Sequence, residues 1–359
     1  MQNNSNYYIN GIQQVGLGVL DVYEAWTWYH KYFGFDLPIF DDEAVAKLML
    51  KYTENEPRNR HAALVLNYQG GGGLEIWQHK SMVSRPPQNK VMPGDLGIFA
   101  MKIKVKNIEI SHSLFEKSSL PLLTEPILDK TKTKSFYLSD PYYNLIQVVE
   151  SSIWNADVKL HSGGVCGCMI GVDDMQRSIK FYKDILGYDL VISNAKGHFE
   201  DFDHLSDARY TYQRVILSHS KEKSGAFSKL LGPTTIELVK VLDRNPQKIF
   251  KNRMWGELGY IHLCFDVNGM NQLKIHCANQ KHPFTVDSDD SFDMGEAAGR
   301  FAYLEDPDGT LIEFVETHKI PILKKIGWYF DLRKRPIQKP IAKWILRAMA
   351  LTRVKSIKK

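Results

Sequence analysis

The sequence predicts an α+β protein made of four βαβββ modules followed by a helical tail. Three internal matches predict this class. The segment GLGVLDVYEAWTWYHKYFGFDL (residues 16–37) matches MIGVDDMQRSIKFYKDILGYDL (169–190), GGLEIWQ matches TTIELVK, and LSDPYYNLIQVVE (138–150) matches LEDPDGTLIEFVE (304–316). The offset grows from 153 to 166 residues along the chain, as expected when a duplicated domain gains short insertions in its loops.

The first match of each half predicts a strand followed by a helix. Asp21 and Asp174 stand at the N-cap position, aromatic and apolar residues recur at helical spacing, and a glycine ends each segment. The later matches alternate apolar and polar residues, which is the period of a strand. Since the same order recurs at half length, residues 11–152 and 163–317 are predicted to be two copies of one domain, each holding two modules.

The helix and the hairpin carry a family resemblance. FYKDILG (181–187) and DPDGTLIE (306–313) resemble motifs of the vicinal oxygen chelate superfamily, which includes glyoxalase I, methylmalonyl-CoA epimerase, extradiol dioxygenases and bleomycin or fosfomycin resistance proteins. The resemblance covers about residues 11–317. It implies that two modules pair into an incompletely closed β-barrel around one metal ion, with ligands from the first and last strand of each module.

In the second half, the resemblance places the four ligand positions at Gly167, Glu237, His262 and Glu313. One imidazole and two carboxylates suit Zn, Ni, Co, Mn or Fe(II). His262, Glu237 and Glu313 are therefore predicted to bind a divalent metal ion. Gly167 offers no side chain, so water or substrate is expected in its place.

In the first half, the same positions are Gln14, Glu75, Ala100 and Gln147. This set contains no histidine, so the N-terminal barrel is predicted to be metal-free. Glu75 is interpreted as a structural carboxylate paired with a cation, and Gln14 as a polar core residue.

The predicted site indicates a metalloenzyme whose ion chelates two neighbouring oxygens of a small substrate. Glu237 or Glu313 is the expected proton-transferring base, and this implies lyase or isomerase chemistry of the glyoxalase or epimerase kind. Cys264 is interpreted as a small residue lining the barrel rather than a nucleophile. Asp306 and Asp140 are interpreted as turn residues without a chemical role.

Two alternatives stay open. The first is an extradiol-type ring-cleaving dioxygenase with Fe(II), because Tyr303 stands where such enzymes carry an active-site tyrosine; Gly167 argues against it, since that reaction uses an imidazole there. Tyr137 stands at the same place in the first half, so a packing role for both tyrosines is equally open. The second alternative is a binding or resistance protein without turnover.

The positive charge of the chain is concentrated at its end. The formal net charge is +5, but residues 319–359 hold thirteen Lys or Arg against Asp331 alone, so this tail carries +12 and the rest −7. A helix is predicted after Pro340, with apolar residues at helical spacing: Ile341, Trp344, Ile345, Met349 and Leu351. Two interpretations are open, an interfacial helix on an anionic membrane and a helix packed over the acidic body.

Other classes are not expected. The body has no basic stretch with stacking aromatic residues, so nucleic acid is not an expected partner. No run of eighteen apolar residues and no secretory signal occurs, so we expect a cytoplasmic protein, peripheral to the inner membrane face under the first interpretation of the tail. The four cysteines are expected to be reduced core thiols: Cys166, Cys168, Cys264 and Cys277.

Overall fold

The computed structural model describes residues 7–129, 131–289, 293–294, 297–323 and 328–357. The first half of the chain folds into two of the expected modules. The first module contains β1 (Tyr8–Gly18), α1 (Val22–Phe33), β2 (Leu37–Ala46), β3 (Arg58–Leu66) and β4 (Gly73–His79). The second contains β5 (Gly97–Val105), α2 (Ile108–Lys117), β6 (Ile127–Leu128), β7 (Lys134–Ser139) and β8 (Leu145–Glu150).

The second half repeats this order and continues into the tail. The third module contains β9 (Ser162–Gly171), α3 (Met175–Leu186), β10 (Leu190–Gly197), α4 (Glu200–Asp203), β11 (Tyr212–Ser218), α5 (Ser228–Leu231) and β12 (Thr235–Val241). The fourth contains β13 (Gly259–Asn268), α6 (Met270–Asn279), β14 (Val286–Asp287), β15 (Asp293–Met294), β16 (Ala297–Glu305) and β17 (Leu311–Thr317). The tail contains β18 (Lys319–Leu323), β19 (Trp328–Asp331) and α7 (Lys343–Met349).

The helix boundaries follow the predicted caps. The carboxylate of Asp21 accepts a hydrogen bond from the Glu24 N–H at 2.9 Å, and Asp174 caps α3 in the same way. The residues that end α1 and α3, Gly34 and Gly187, have φ of 66° and 74°. Only glycine adopts this left-handed conformation at low cost, so each helix stops there.

The strands of the four modules form two sheets, and β18 and β19 of the tail form a third, two-stranded one, but the modules pair differently from the expectation. One sheet has the order β14-β16-β17-β13-β1-β4-β3-β2, with β15 beside β16, and joins the fourth module to the first. The other has the order β10-β11-β12-β9-β5-β8-β7-β6 and joins the third module to the second. The α+β class and the two open sheets are confirmed, whereas the idea that residues 11–152 and 163–317 each form a barrel of their own is wrong.

The modules of one sheet are joined through the first strand of each module. In β1, one edge pairs in parallel with β4 of the same module, and the other pairs antiparallel with β13, from Tyr8 opposite Asn268 to Gly18 opposite Gly259. β5 and β9 are related in the same way. The four first strands have the same apolar pattern, so local sequence does not determine which two of them pair.

The two modules of each half are held together on the helix side instead. The Tyr29 hydroxyl of α1 donates to Asp140 Oδ2 at 2.8 Å, and the Tyr182 hydroxyl of α3 donates to Asp306 Oδ2 at 2.9 Å. The other oxygen of each aspartate accepts backbone N–H groups of its own turn. The aspartates are therefore turn residues, as predicted, and each also anchors a helix to a hairpin.

The tail packs over the body, as the second interpretation of its charge and apolar pattern predicts. Ile341, Ile345 and Leu346 are buried in a cluster with Leu37, Leu66, Tyr68, Ala226, Leu230, Ile320 and Leu332. The Arg353 guanidinium contacts Asp36 Oδ2 at 2.6 Å, and the Val354 N–H donates to the Asp36 carbonyl at 2.8 Å. In the part of the chain that is described, none of the helices has the length and apolar character needed to cross a membrane.

Candidate metal centre

Four neighbouring strands at the centre of the first sheet each carry one polar side chain on the same face. In the sheet order β17, β13, β1 and β4, these residues are Glu313, His262, Gln14 and Glu75. The first module therefore contributes two of them and the fourth module the other two.

The side chains lie close enough to share one ion. His262 Nε2 is 3.2 Å from Glu75 Oε2 and 3.1 Å from Glu313 Oε2. One ligand atom of each of these three residues lies within 4.8 Å of the others. Gln14 Nε2 donates to Glu313 Oε2 at 3.4 Å. The imidazole is fully buried, whereas 7% of the Glu313 side chain and 13% of the Glu75 side chain are exposed.

Three buried atoms of this group lack a satisfying partner. Among the described residues, Gln14 Oε1, Glu75 Oε2 and His262 Nε2 make no hydrogen bond with acceptable geometry. Buried polar atoms without partners are costly and rare. An amide oxygen, two carboxylates and an imidazole are the donors that a borderline or hard divalent ion accepts. The residues therefore fit a divalent metal.

The two carboxylates dominate the electrostatics around His262. Burial lowers the pKa of the imidazole, but the negative charges of Glu313 and Glu75 outweigh burial and raise this pKa to about 10. Burial raises the pKa of Glu75, but His262, Arg60 and Gln14 together lower it by more, so the net shift is downward. In the protein without an ion, an imidazolium therefore balances part of the negative charge.

Gly16 makes room for the imidazole. It stands opposite His262 in the β1–β13 register. A Cβ built at position 16 would lie 2.4 Å from Cε1 and 2.6 Å from Nε2 of His262. Only a residue without a side chain lets the ring lie against β1 in this position.

Tyr303 lies beside the group, on β16. Its hydroxyl is 3.4 Å from His262 Nδ1, and it stands opposite Glu313 in the β16–β17 register. Burial and then the charge of Glu313 raise the pKa of Tyr303 well above its ordinary value. The hydroxyl therefore keeps its proton and acts as a hydrogen-bond donor.

The segment that connects the third module to the fourth forms an aromatic wall next to these residues. Trp255 packs edge-on against Trp77, with ring centroids 4.6 Å apart, and its ring centroid is 6.3 Å from that of Tyr303. The backbone N–H of Trp255 donates to the Tyr52 carbonyl at 3.0 Å. Trp77 is on β4, two residues after Glu75, so the two side chains lie on the same face of the strand.

An ion pair between the buried Glu257 and the half-exposed Arg85 holds the wall in place. The Glu257 carboxylate accepts hydrogen bonds from Arg85 Nε at 2.6 Å, Arg85 Nη2 at 2.9 Å and the Met254 N–H at 2.6 Å. This segment is not among the site residues predicted from the sequence. Its only local signal is the Trp255-Gly256 pair, where Gly256 has φ of 88° and a Cβ would lie 2.2 Å from the Trp77 ring.

Comparison with known proteins gives the family. Residues 166–314 match the model of the Glyoxalase/Bleomycin resistance protein/Dioxygenase superfamily. This segment belongs to that superfamily. The match confirms the resemblance predicted from the helix and hairpin motifs. No curated protein matches the chain.

Two solved structures share the fold over most of the chain. Glyoxalase I from Zea mays is 14% identical, with a TM-score of 0.52, and the alignment covers 87% of this chain and 92% of that one. A putative dioxygenase from Bacillus subtilis subsp. subtilis str. 168 is 13% identical, with a TM-score of 0.56 and coverage of 86% of both chains. Identities this low show the likeness of fold alone.

Glu237 lies in the second sheet, away from His262 and Glu313. Lys102 Nζ donates to Glu237 Oε2 at 2.6 Å, and Arg214 Nε donates to Oε1 at 2.6 Å. Burial raises the pKa of Glu237, but Arg214 and Lys102 outweigh burial and lower it to about 2. The predicted grouping of Glu237 with His262 and Glu313 is thus corrected, because the pairing of the modules places Glu75 beside those two residues and pairs Glu237 with Lys102 and Arg214.

At the corresponding positions, the second sheet has polar side chains that are ion-paired or hydrogen-bonded, whereas the first sheet has donor atoms without hydrogen-bond partners. The four ligand positions of the second sheet are Gly167, Glu237, Ala100 and Gln147, and Gln147 Nε2 donates to Ser135 Oγ at 3.0 Å. Arg214 also binds Asp201, at 2.7 Å, so two cations face two carboxylates. In the described ranges, the group around His262 is the one cluster with metal-binding spacing.

Proposed function

We propose that the protein is a metal-dependent lyase or isomerase of the glyoxalase or epimerase type. Glu75, His262 and Glu313 hold a divalent ion, and the Gln14 amide oxygen is a fourth ligand. The substrate is a small molecule with oxygens on two neighbouring carbons. The observation that carries this proposal is the set of three unpartnered donor atoms on the adjacent strands β13, β1 and β4, with Glu313 of β17 beside them.

The bound ion supplies a Lewis acid that makes a C–H bond next to a carbonyl more acidic. The protein moves the proton. Glu75 and Glu313 both contact Nε2 of His262, and one of the two carboxylates accepts the proton from one carbon and returns it to the neighbouring carbon, with no net gain or loss of atoms. Tyr303 donates a hydrogen bond to a substrate oxygen, and the wall around Trp255 excludes water.

The donor set favours this chemistry over ring cleavage. A non-haem Fe(II) oxygenase site uses two imidazoles and one carboxylate. The group described above has His262 as its one imidazole, with two carboxylates and an amide. The position that corresponds to the second imidazole is Gln14 of β1, since Gly167 belongs to the other sheet.

Metal analysis combined with proton exchange tests the proposal. The purified protein is expected to hold one divalent ion per chain and to exchange the C–H protons of small hydroxy-ketones or 2-oxoaldehyde adducts with deuterium from D₂O. EDTA abolishes the exchange, and one metal restores it. At saturating metal, Glu75→Gln and Glu313→Gln keep an oxygen ligand, and the variant that lacks the base loses exchange.

The proposal fails if the protein binds these molecules equally well with and without EDTA and catalyses no proton exchange. It would then be a binding protein. If both Glu75→Gln and Glu313→Gln keep the exchange activity, neither carboxylate is the base, and the proposal fails as well. Glu237→Gln is the matched control, because it removes a buried carboxylate of the same chemistry from the second sheet.

A further inference from the structure

The tail has two faces of different character. On the inner face, Ile341, Ile345 and Leu346 pack against the body. On the outer face, the side chains of Trp344 and Leu351 are 53% and 82% exposed. Two large apolar side chains are thus directed to solvent on a segment that is already docked through its other side.

The exposed apolar residues lie within a strongly basic surface. From residue 332 to residue 357 the sequence has no Asp or Glu. Arg333 is paired with Asp331, which precedes this stretch, and the other exposed cations of the segment are Lys334, Lys339, Lys343, Arg347 and Lys355. We call these five cations, Trp344 and Leu351 the outer tail surface.

We propose that the outer tail surface binds an anionic lipid membrane. Tryptophan and leucine insert at the boundary between headgroups and acyl chains, while lysine and arginine reach the phosphates with their long side chains. Negative leaflets attract basic segments of this kind over about one Debye length. The partner chemistry therefore matches both the charge and the apolar residues of the surface.

Lipid fits this surface better than nucleic acid does. Phosphate backbones attract the cations equally well, but they gain nothing from an exposed leucine such as Leu351. Single-stranded nucleic acid binds where several aromatic side chains stack successive bases. On α7, Trp344 is the one aromatic residue.

The docking contacts fix how the body would stand on the membrane. Arg353 and the Val354 N–H bind Asp36, and His30 Nε2 is 3.2 Å from the Val354 carbonyl, so the tail is attached to the end of α1. Because the inner face of α7 is occupied by the body, only the outer face is available to lipid. The membrane would then lie on the side of α7 that is opposite Leu37 and Tyr68.

Vesicle partitioning of the full-length protein tests the proposal. Sedimentation with phosphatidylcholine vesicles is compared with sedimentation with vesicles that also contain phosphatidylserine. We expect binding only with phosphatidylserine, weaker binding at high salt, and a blue shift of tryptophan emission that Trp344→Ala removes. Lys343→Glu combined with Arg347→Glu should lower the partition coefficient about tenfold or more.

Matched controls separate a specific surface from general basicity. Lys117→Glu combined with Lys183→Glu makes the same change in net charge on the exposed helices α2 and α3 and is expected to leave binding nearly unchanged. Tyr143→Ala removes an exposed aromatic residue, 91% accessible, outside the tail. Thermal unfolding midpoints confirm that each variant is folded.

Three results would overturn the proposal. The first is no partitioning of the wild type into phosphatidylserine vesicles. The second is an equal loss of binding in the Lys117/Lys183 control. The third is tight binding of a short RNA or DNA that displaces the protein from vesicles and is unaffected by Trp344→Ala, since the cations would then serve nucleic acid. Vesicle-induced emission changes in the wild type decide the first point without any variant.

Discussion

Glu75 of β4 and His262 of β13 lie 3.2 Å apart, although they belong to the first and the last module of the chain. Neither half of the chain by itself contains all the side chains of the candidate centre. Their contact exists because β1 pairs with β13, so the candidate centre depends on association of the two ends of the body. This relationship makes the site sensitive to the pairing of modules as well as to its ligands.

The first prediction concerns which glutamate binds the ion. Glu75→Ala removes a ligand and should reduce bound metal to a trace, as His262→Ala should. Glu237→Gln should keep the metal content of the wild type, because Lys102 and Arg214 neutralise that carboxylate. Elemental analysis of the purified proteins is the measurement. Normal metal in Glu75→Ala, or metal lost in Glu237→Gln, would restore the grouping that the sequence alone suggested.

The second prediction concerns the space beside His262. Gly16→Ala places a methyl group 2.4 Å from the imidazole, so the ring must move and metal affinity should fall at least tenfold. Gly167→Ala in the second sheet meets the Thr235 carbonyl at 2.2 Å and serves as a steric control. Both variants should unfold at lower temperature, whereas only Gly16→Ala should weaken metal binding in a competition titration. Equal affinities in the two variants would contradict the proposed role of Gly16.

The third prediction is an acid sensitivity of the second sheet. The pKa of Glu237 is lowered from 4.5 to about 2 in the folded protein. The ionised carboxylate therefore adds stability that is fully present above pH 4.5 and is lost as the pH falls towards about 2. For a pair this deeply buried, the loss is of the order of 3 kcal/mol.

Urea unfolding at several pH values from about 5 down to about 2 measures this loss of stability. Glu237→Gln should be less stable than the wild type at the upper limit, because Lys102 and Arg214 lose a charged partner. It should also lose less stability on acidification. Parallel curves for the two proteins would show that another group carries the acid sensitivity.

The fourth prediction concerns attachment of the tail. Arg353→Ala removes both guanidinium contacts to Asp36, so α7 should detach more often and trypsin should cleave the tail several-fold faster. Lys355→Ala removes a nearby exposed cation that makes no such contact to Asp36 and should leave the cleavage rate close to that of the wild type. Mass spectrometry of the fragments identifies the cleaved bonds. Equal rates would mean that the apolar face alone holds the tail.

The sequence determined the local structure well, and the reasons are local. The caps at Asp21 and Asp174, the helix-ending glycines and the alternation of the strands act over a few residues, so the repeats predicted the modules and their order. The positions of all four donors, Gln14, Glu75, His262 and Glu313, were also identified as ligand positions. The sequences of those segments do not predict which two modules pair in one sheet.

Only the tertiary structure decided which donors share one site. The first strands of the four modules offer similar apolar edges, and the pairing of β1 with β13 and of β5 with β9 is a choice between sheets of nearly equal local pattern. That choice brings Glu75 to His262 and leaves Glu237 with Lys102 and Arg214. A carboxylate thus became a candidate metal ligand or half of an ion pair according to which strand lay beside it, because the charge of a neighbour depends on contact in space.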